Sequence, residues 1–390
     1  MSRFVYADNA ATTKISETAF LAMLPWLKEG YGNPSSVYRL GREARRALDQ
    51  ARDQVAAAIG AKPEEIVFTG SATEANNWVI RGICERLAEQ GRHIISSAIE
   101  HHAVSHTLEA LEKQGFSVTY LPVDQNGRVS VSDLTAAIRP DTILITIMLA
   151  NNEIGTIQPI AEIGAVARER GVLFHTDAVQ AIGHIPVDVV KLHVDLLSLS
   201  AHKFRGPKGV GALYMRKGVK LPAFITGGAQ ERGRRAGTEN VAGIAGMAAA
   251  LTEAVQNMDE NRTNIAALRD KLIAGMTRLP AVRLTGDPEY RLPGNASFVV
   301  ECVEGEAMIL MLDAVGIAAS SGSACSSGAL DPSHVLLAIG LPHEHAHGSV
   351  RLSLGEETTE ADVAYILEKI PGIIEKLRAM SPLWEDRVHD

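Results

Sequence analysis

The distribution of apolar residues divides the chain near residue 255. From about residue 50 to 215, apolar runs of strand length alternate with stretches at helical spacing. Val104, Leu108 and Leu111 mark a helix over Ala103–Gln114 that stops at Gly115. Phe116, Val118 and Tyr120 then alternate as in a strand. TILITIML (142–149) is a continuous run of the kind that forms a strand buried on both faces. AEIGAVARER (161–170) predicts a helix ended by Gly171, and VLFHT (172–176), VDLLSLS (194–200) and VGALYM (210–215) predict strands. This alternation calls for a mostly parallel sheet with helices on both faces. Beyond residue 255, a charged helix (259–277), the strands ASFVVEC (296–302) and VRLSL (350–354) and a last helix (359–379) form a smaller α+β pattern. The expectation is a large α/β domain over 15–255 and a small α+β domain from 1–14 and 256–390, two cores being usual for this length.

In open α/β sheets, ligands lie beyond the carboxyl ends of the strands. IVFTGSATEANN (66–77) reads there as strand, glycine turn and helix start. Free N–H groups at a helix start, with the hydroxyls of Ser71 and Thr73, suit a phosphate. A plain helix cap is the alternative, and no GK[ST] follows. Asp177 in HTDAVQA (175–181) and Lys203 in SLSAHKFRGPKG (198–209) each stand just past a strand. An acid and a lysine so placed suit a cofactor with a basic ring nitrogen and an aldehyde, the acid holding the ring proton and the lysine bonding the aldehyde. A salt bridge explains either residue alone; the phosphate turn, the acid and the lysine together favour the cofactor.

Other segments leave two readings open. His101 in IEHHAVSH (99–106), after the strand HIISS (93–97), lies flat on an aromatic cofactor or caps the next helix. ANNEIGT (150–156) offers amides to a phenolic oxygen or merely turns the chain. GGAQERGRRAGTEN (227–240), with Thr238, is a flexible basic loop or a second anion contact from a neighbouring subunit. Arg351 in SVRLSLG is a carboxylate clamp or an exposed strand arginine. HEHAH (343–347), between Pro342 and Gly348, reads as a loop, and no metal site is expected.

A net charge of −8 without a long basic run argues against nucleic-acid and anionic-membrane partners. Cys84, Cys302 and Cys325 show no CxxC or CxxH spacing, which argues against a disulfide framework or a structural zinc. With no signal-like start and no membrane-spanning apolar run, a cytoplasmic protein is expected. Cys84 fits a helix core and Cys302 a strand end. Cys325 sits in SSGSACSSGALDP (320–332), a Ser/Gly/Ala setting that leaves three readings: an incidental cysteine, a metal ligand or a nucleophile that moves.

Taken together, YADNAATT (6–13), YGNPSS (31–36), TGSATEANN (69–77), EHHAV (100–104), NNEIGT (151–156), HTDAVQ (175–180), SAHKFRGPKGVGALY (200–214), QERGRRAGTEN (230–240), SSGSACSSG (320–328) and VRLSLG (350–355) resemble the NifS/IscS-type cysteine desulfurases. These are class-V aminotransferase-like enzymes of the aspartate-aminotransferase-like fold (fold type I) that use pyridoxal 5'-phosphate (PLP). The long serine-rich cysteine segment is similar to group I. The resemblance implies that Lys203 holds PLP, Asp177 pairs with the ring nitrogen, and Gln180 and Asn152 contact the phenolic oxygen side. It implies that His101 stacks on the ring, and that Ala72, Thr73, Ser200 and His202 hold the phosphate, with Thr238 arriving from the other subunit of a homodimer. Arg351 would bind the substrate carboxylate, and Asn152 would contact the substrate as well. The implied reaction turns L-cysteine into L-alanine and a Cys325 persulfide, passed on to an iron–sulfur scaffold or another sulfur acceptor. A selenocysteine lyase, another PLP-dependent β-elimination enzyme, or a sulfur-relay or assembly partner with little activity are the alternatives. Two departures stand out. Tyr38 occupies a position where the family often has histidine, and the chain ends soon after MSPLWED, which puts scaffold docking through a C-terminal tail in doubt.

Overall fold

The computed structural model describes residues 3–321, 332–382 and 384. Cys325 lies outside these described residues.

Seven strands form the larger sheet, in the order Ile66–Thr69, Gly211–Met215, Leu196–Ser200, Leu173–Asp177, Thr142–Thr146, His93–Ser97, Ser117–Leu121. Only Gly211–Met215 runs against its neighbours. The inner strands Thr142–Thr146, Leu196–Ser200 and His93–Ser97 are buried at every residue, as a sheet covered by helices on both faces demands. The edge strand Ser117–Leu121 is mostly uncovered. The run 142–149 leaves regular strand at Thr146, yet Ile147 and Leu149 still donate to the carbonyls of His175 and Asp177. Helix Ile160–Arg170 ends at Gly171, whose φ of 69° closes the turn without a Cβ clash.

A second core gathers Leu272, Phe298, Leu312, Val350 and Ile366 around the antiparallel strands Ser349–Ser353, Asn295–Val300 and Val282–Leu284. Val5 and Ala7 belong to it as well, because Val5–Tyr6 pairs in parallel with Ile317–Ala318. The N-terminal segment thus crosses from this core to the end of the large sheet. HEHAH is not a loop. Pro342, with φ already near the helical value, starts a short helix His343–Ala346 and brings the His343 and His347 rings to 4.8 Å. Cys84 is buried in helix Ala72–Leu87, and Cys302, half-buried, follows strand Asn295–Val300 with φ of 60°. Among the described residues, no helix is long and apolar enough to cross a membrane.

Buried ionisable groups make the fold's stability depend on pH in two opposing ways. Burial pushes His175, held between Thr146 and Ser198 hydroxyls, down to about 3. Its contribution is complete above its ordinary 6.5 and is lost as pH falls from there toward 3. Burial pushes Glu100 up to about 8 and Glu153 up to about 7, so stability grows as pH falls from 8 toward their ordinary 4.5. Urea midpoints are therefore expected to be higher near pH 6.5 than at pH 8, and to fall again toward pH 5, where His175 together with His202, His93, His184 and His334, all lowered by burial, outweighs the two carboxyls. A monotonic profile would contradict this.

Candidate active site

The polar residues singled out at the strand ends converge at one edge of the large sheet. Strand Leu173–Asp177 ends on Asp177, which is 6% exposed. Its Oδ1 accepts the Val179 N–H at 3.0 Å, and its Oδ2 accepts the Asn76 side-chain amide at 2.6 Å. Strand Leu173–Asp177 stands three places in the sheet order from Ile66–Thr69, the strand that leads into helix Ala72–Leu87, so this contact ties that helix across the sheet. Strand Leu196–Ser200 runs into a single tight turn, Ala201–Lys203. Lys203 Nζ donates to the carbonyls of Ala10 and Ala11 at 2.6 and 2.8 Å, and Gln180 Nε2 donates to Ala10 O at 2.9 Å. The crossing N-terminal segment therefore supplies acceptors to the lysine.

His101 caps helix His102–Glu112, its Nδ1 accepting the Ala103 N–H at 3.1 Å. The capping reading thus holds, and the ring still lies close enough to Asp177 and Lys203 to feel both charges. Burial lowers its pKa; Asp177 opposes this, and Lys203, His102 and His106 add to it. His202 is pushed down to about 4 by burial beside Lys203 and Lys208. Its Nδ1 lies 3.1 Å from the Thr12 hydroxyl; with that hydroxyl donating, the Nε2 proton is available to an anion.

Ser71 caps helix Ala72–Leu87 by accepting from Glu74 N at 3.1 Å. Ala72 and Thr73 open this helix, where N–H groups have no partner within the helix itself. Ser200 ends the strand nearby in the sheet, opposite Gly211. A Cβ on Gly211 would stand 2.7 Å from Leu199 O, 2.9 Å from Ser71 C and 3.1 Å from Ala72 N. All three are backbone atoms, so Gly211 lets the helix start lie against the sheet. Gly211→Ala is expected to weaken anion binding at this turn about tenfold, measured by phosphate or cofactor titration; unchanged affinity would refute the close packing.

Arg351, 3% exposed, comes from the small sheet. It donates to the Asn152 carbonyl and to Asp8 Oδ1, both at 2.9 Å, and so spans the two cores. The exposed-strand reading of Arg351 is thereby excluded. Thr238 is exposed on the surface of the single chain. The surrounding loop is not free: Arg235 pairs with Glu74 at 2.9 Å and Glu231 with Arg52 at 2.7 Å. Of the loop's arginines, Arg235 is committed to structure rather than left for an anion.

Sequence reasoning missed Asn76, Asp8 and the Ala10 carbonyl. Asn76 carried a signal, since it lies four residues after Ala72 and so on the same helix face. Asp8 and Ala10 carried none, because the meeting of residue 10 with residue 203 is purely tertiary.

These residues suit PLP in composition. Asn76 Oδ1 and Arg351 Nε are buried without a partner among the described residues, a costly condition that a polar ligand relieves. An anion turn, a strand-end acid, a lysine and an imidazole between them match the phosphate, ring nitrogen, aldehyde and ring face of that cofactor.

The aminotransferase class-V pattern matches residues 5–366. A cysteine desulfurase IscS from Methanosarcina thermophila is 55% identical over 382 residues, 98% of this chain and 95% of the relative. The IscS of Dictyoglomus turgidum is 54% identical, covering 98% of this chain and 97% of its own length. A solved NifS-like protein superposes with a TM-score of 0.91 at 40% identity, covering 96% of this chain and 100% of the other. The structure titled SspA in complex with cysteine matches with a TM-score of 0.81 at 37% identity, covering 91% and 99% of the two chains. The chain, with its anion turn, strand-end acid and lysine at one sheet edge, belongs to the class-V aminotransferase family and, within it, to the NifS/IscS-type cysteine desulfurases.

Proposed function

We propose that this chain removes sulfur from L-cysteine with PLP held by Lys203, and that Cys325 takes the sulfur. The observation that carries the reading is that Asp177, Lys203 and His101 each stand at or just past the carboxyl end of a parallel strand of the same sheet. Ala72, Thr73, Ser200 and His202 would hold the phosphate, Asp177 would pair with the ring nitrogen, and Gln180 and Asn152 would contact the phenolic side. PLP, when bound, supplies the electron sink that makes the substrate α-proton removable.

Arg351 binds the substrate carboxylate through its planar fork. Its neighbour Asp8 holds the guanidinium in place before substrate arrives. Lys203, once released as an amine, takes the α-proton at Nζ. The Cys325 thiolate forms an S–S bond to the substrate sulfur while the substrate C–S bond breaks. That bonding pair stays on the β-carbon, which takes a proton, Lys203 returns a proton to the α-carbon, and alanine leaves. The sulfur is oxidised and the carbon reduced, so no external oxidant is needed. The Cys325 persulfide then serves a sulfur acceptor such as an iron–sulfur scaffold.

A second copy of the chain completes the site. Helix Glu17–Lys28 buries only Ala19 and exposes Phe20, Leu21, Leu24 and Leu27, followed by exposed Tyr31, Val37 and Tyr38. So much apolar surface in one stretch suits a homodimer interface. The partner subunit's Thr238 then reaches the phosphate.

The test is to incubate the holoenzyme with L-cysteine and measure alanine and sulfide. Cys325→Ser is expected to lower sulfur release at least about a hundredfold; full release from that variant would remove Cys325 as acceptor and leave a lyase.

A further inference from the structure

The segment bearing Cys325 is rooted in described residues at both ends, and each root is bonded to the proposed substrate site. On the N-terminal side, Ser320 and Arg351 exchange backbone hydrogen bonds, Arg351 N to Ser320 O at 2.7 Å and Ser320 N to Arg351 O at 3.2 Å. On the C-terminal side, the Ser333 hydroxyl donates to Glu153 Oε2 at 2.5 Å and accepts from Val335 N at 3.1 Å. The next residue, His334, lies with Nε2 3.0 Å from the Glu100 carbonyl. Glu153 adjoins Asn152, whose carbonyl holds Arg351, and Glu100 adjoins His101.

Ser333 and Glu153 are 5% and 6% exposed. A bond between two such groups is not lost to water, and removing one partner strands the other. The turn that carries Glu153 is itself stiff. Asn151 Oδ1 accepts the N–H groups of Glu153 and Ile154, and Asn295 Nδ2 donates to the Glu153 carbonyl at 3.1 Å. Burial also holds the Glu153 carboxyl near about 7, against an ordinary 4.5.

We propose that Glu153, through the Ser333 hydroxyl, is a positioning residue that fixes the C-terminal root of the Cys325 segment to the turn holding Arg351. The inference rests on the reading of Cys325 as sulfur acceptor. Covalent length alone bounds the volume open to a thiol on a chain fixed at Ser320 and Ser333, and a bounded volume raises effective concentration at the substrate sulfur. Freeing one root enlarges that volume. Steps before sulfur transfer do not involve the tether.

The experiment uses the holoenzyme with Ser333→Ala, Glu153→Gln and Ser333→Thr, all checked for a native thermal midpoint. Two rates are read separately: solvent deuterium uptake at the substrate α-carbon, and Cys325 persulfide formation in a single turnover by mass spectrometry. Ser333→Ala and Glu153→Gln should leave deuterium uptake and KM for L-cysteine within about twofold while persulfide formation falls about tenfold or more. Ser333→Thr, which keeps the hydroxyl, should recover most of that loss. If both rates fall together, the bond serves the whole site and the proposal fails; if neither falls, the root is not held there and it also fails. If wild-type enzyme releases sulfur with no Cys325 persulfide, the acceptor reading itself fails and the proposal falls with it, an outcome told apart by the wild-type spectrum alone.

Discussion

Lys203→Ala is expected to be a colourless protein that forms neither alanine nor sulfide from L-cysteine, with activity reduced at least about a thousandfold. On the proposed function, one side chain does two tasks: it would anchor the cofactor aldehyde and move the α-proton. Alanine can do neither. In the structure Lys203 Nζ also donates to the carbonyls of Ala10 and Ala11. A modest loss of thermal stability should therefore accompany the loss of colour, since the N-terminal segment gives up two charge-assisted bonds. Ala10 O keeps its bond from Gln180, which limits the damage. Absorbance spectroscopy, an alanine assay and a melting curve separate the three effects. A yellow Lys203→Ala protein with wild-type turnover would overturn the assignment.

Glu231→Ala is expected to cost about 3–5 kcal/mol, the usual penalty for stranding one member of a buried ion pair. Arg52 and Glu231 are both nearly inaccessible and meet in two parallel bonds of 2.8 and 2.7 Å. Glu231 also accepts from Phe68 N at 3.0 Å, while the Arg52 guanidinium stacks 4.6 Å from the Phe68 ring centre. Removing Glu231 leaves a buried guanidinium and a buried N–H without their acceptor. The pair further holds Glu231 and Arg232 at φ of 47° and 61°, a left-handed turn that non-glycine residues adopt only under constraint. Thermal unfolding should show a midpoint lower by about 10 °C. The double variant Arg52→Met, Glu231→Leu should recover part of the loss, though not the Phe68 bond. Because this anchor positions the loop that carries Thr238, Glu231→Ala should also weaken PLP binding in the dimer. A midpoint within 2 °C of wild type would show the pair to be replaceable by water.

The elements were legible where local forces choose them. His93–Ser97 and Ser117–Leu121 fall within a residue of the strands read from apolar pattern. Helix Glu360–Arg378 lies within the range 359–379, fixed at its start by the Thr359 and Asp362 capping box. The misreading of HEHAH has a local cause too. Pro342 reads as a loop signal in sequence, but a proline beside a helix start favours the helix that follows. The run 142–149 was read three residues too long because burial, which the pattern reports, continues past the point where strand pairing ends.

For the site the division is sharper. Lys203, Asp177, His101 and the Ser71–Thr73 turn could be singled out from sequence, because each follows a strand and the ends of parallel strands share one edge of a sheet. Chain order alone therefore determined that they would meet. What tertiary structure decided is who holds them. Asp8 on Arg351, Ala10 on Lys203, Asn76 on Asp177 and Glu153 on Ser333 join residues 100 or more positions apart. No periodicity encodes such pairs, since they depend on how two cores settle against each other and on which buried polar atoms then need partners. The same reason explains the loop at 227–240. Sequence leaves it a flexible basic loop or an anion contact, whereas the fold brings Glu74 to Arg235 and sets the loop's Glu231 against Arg52.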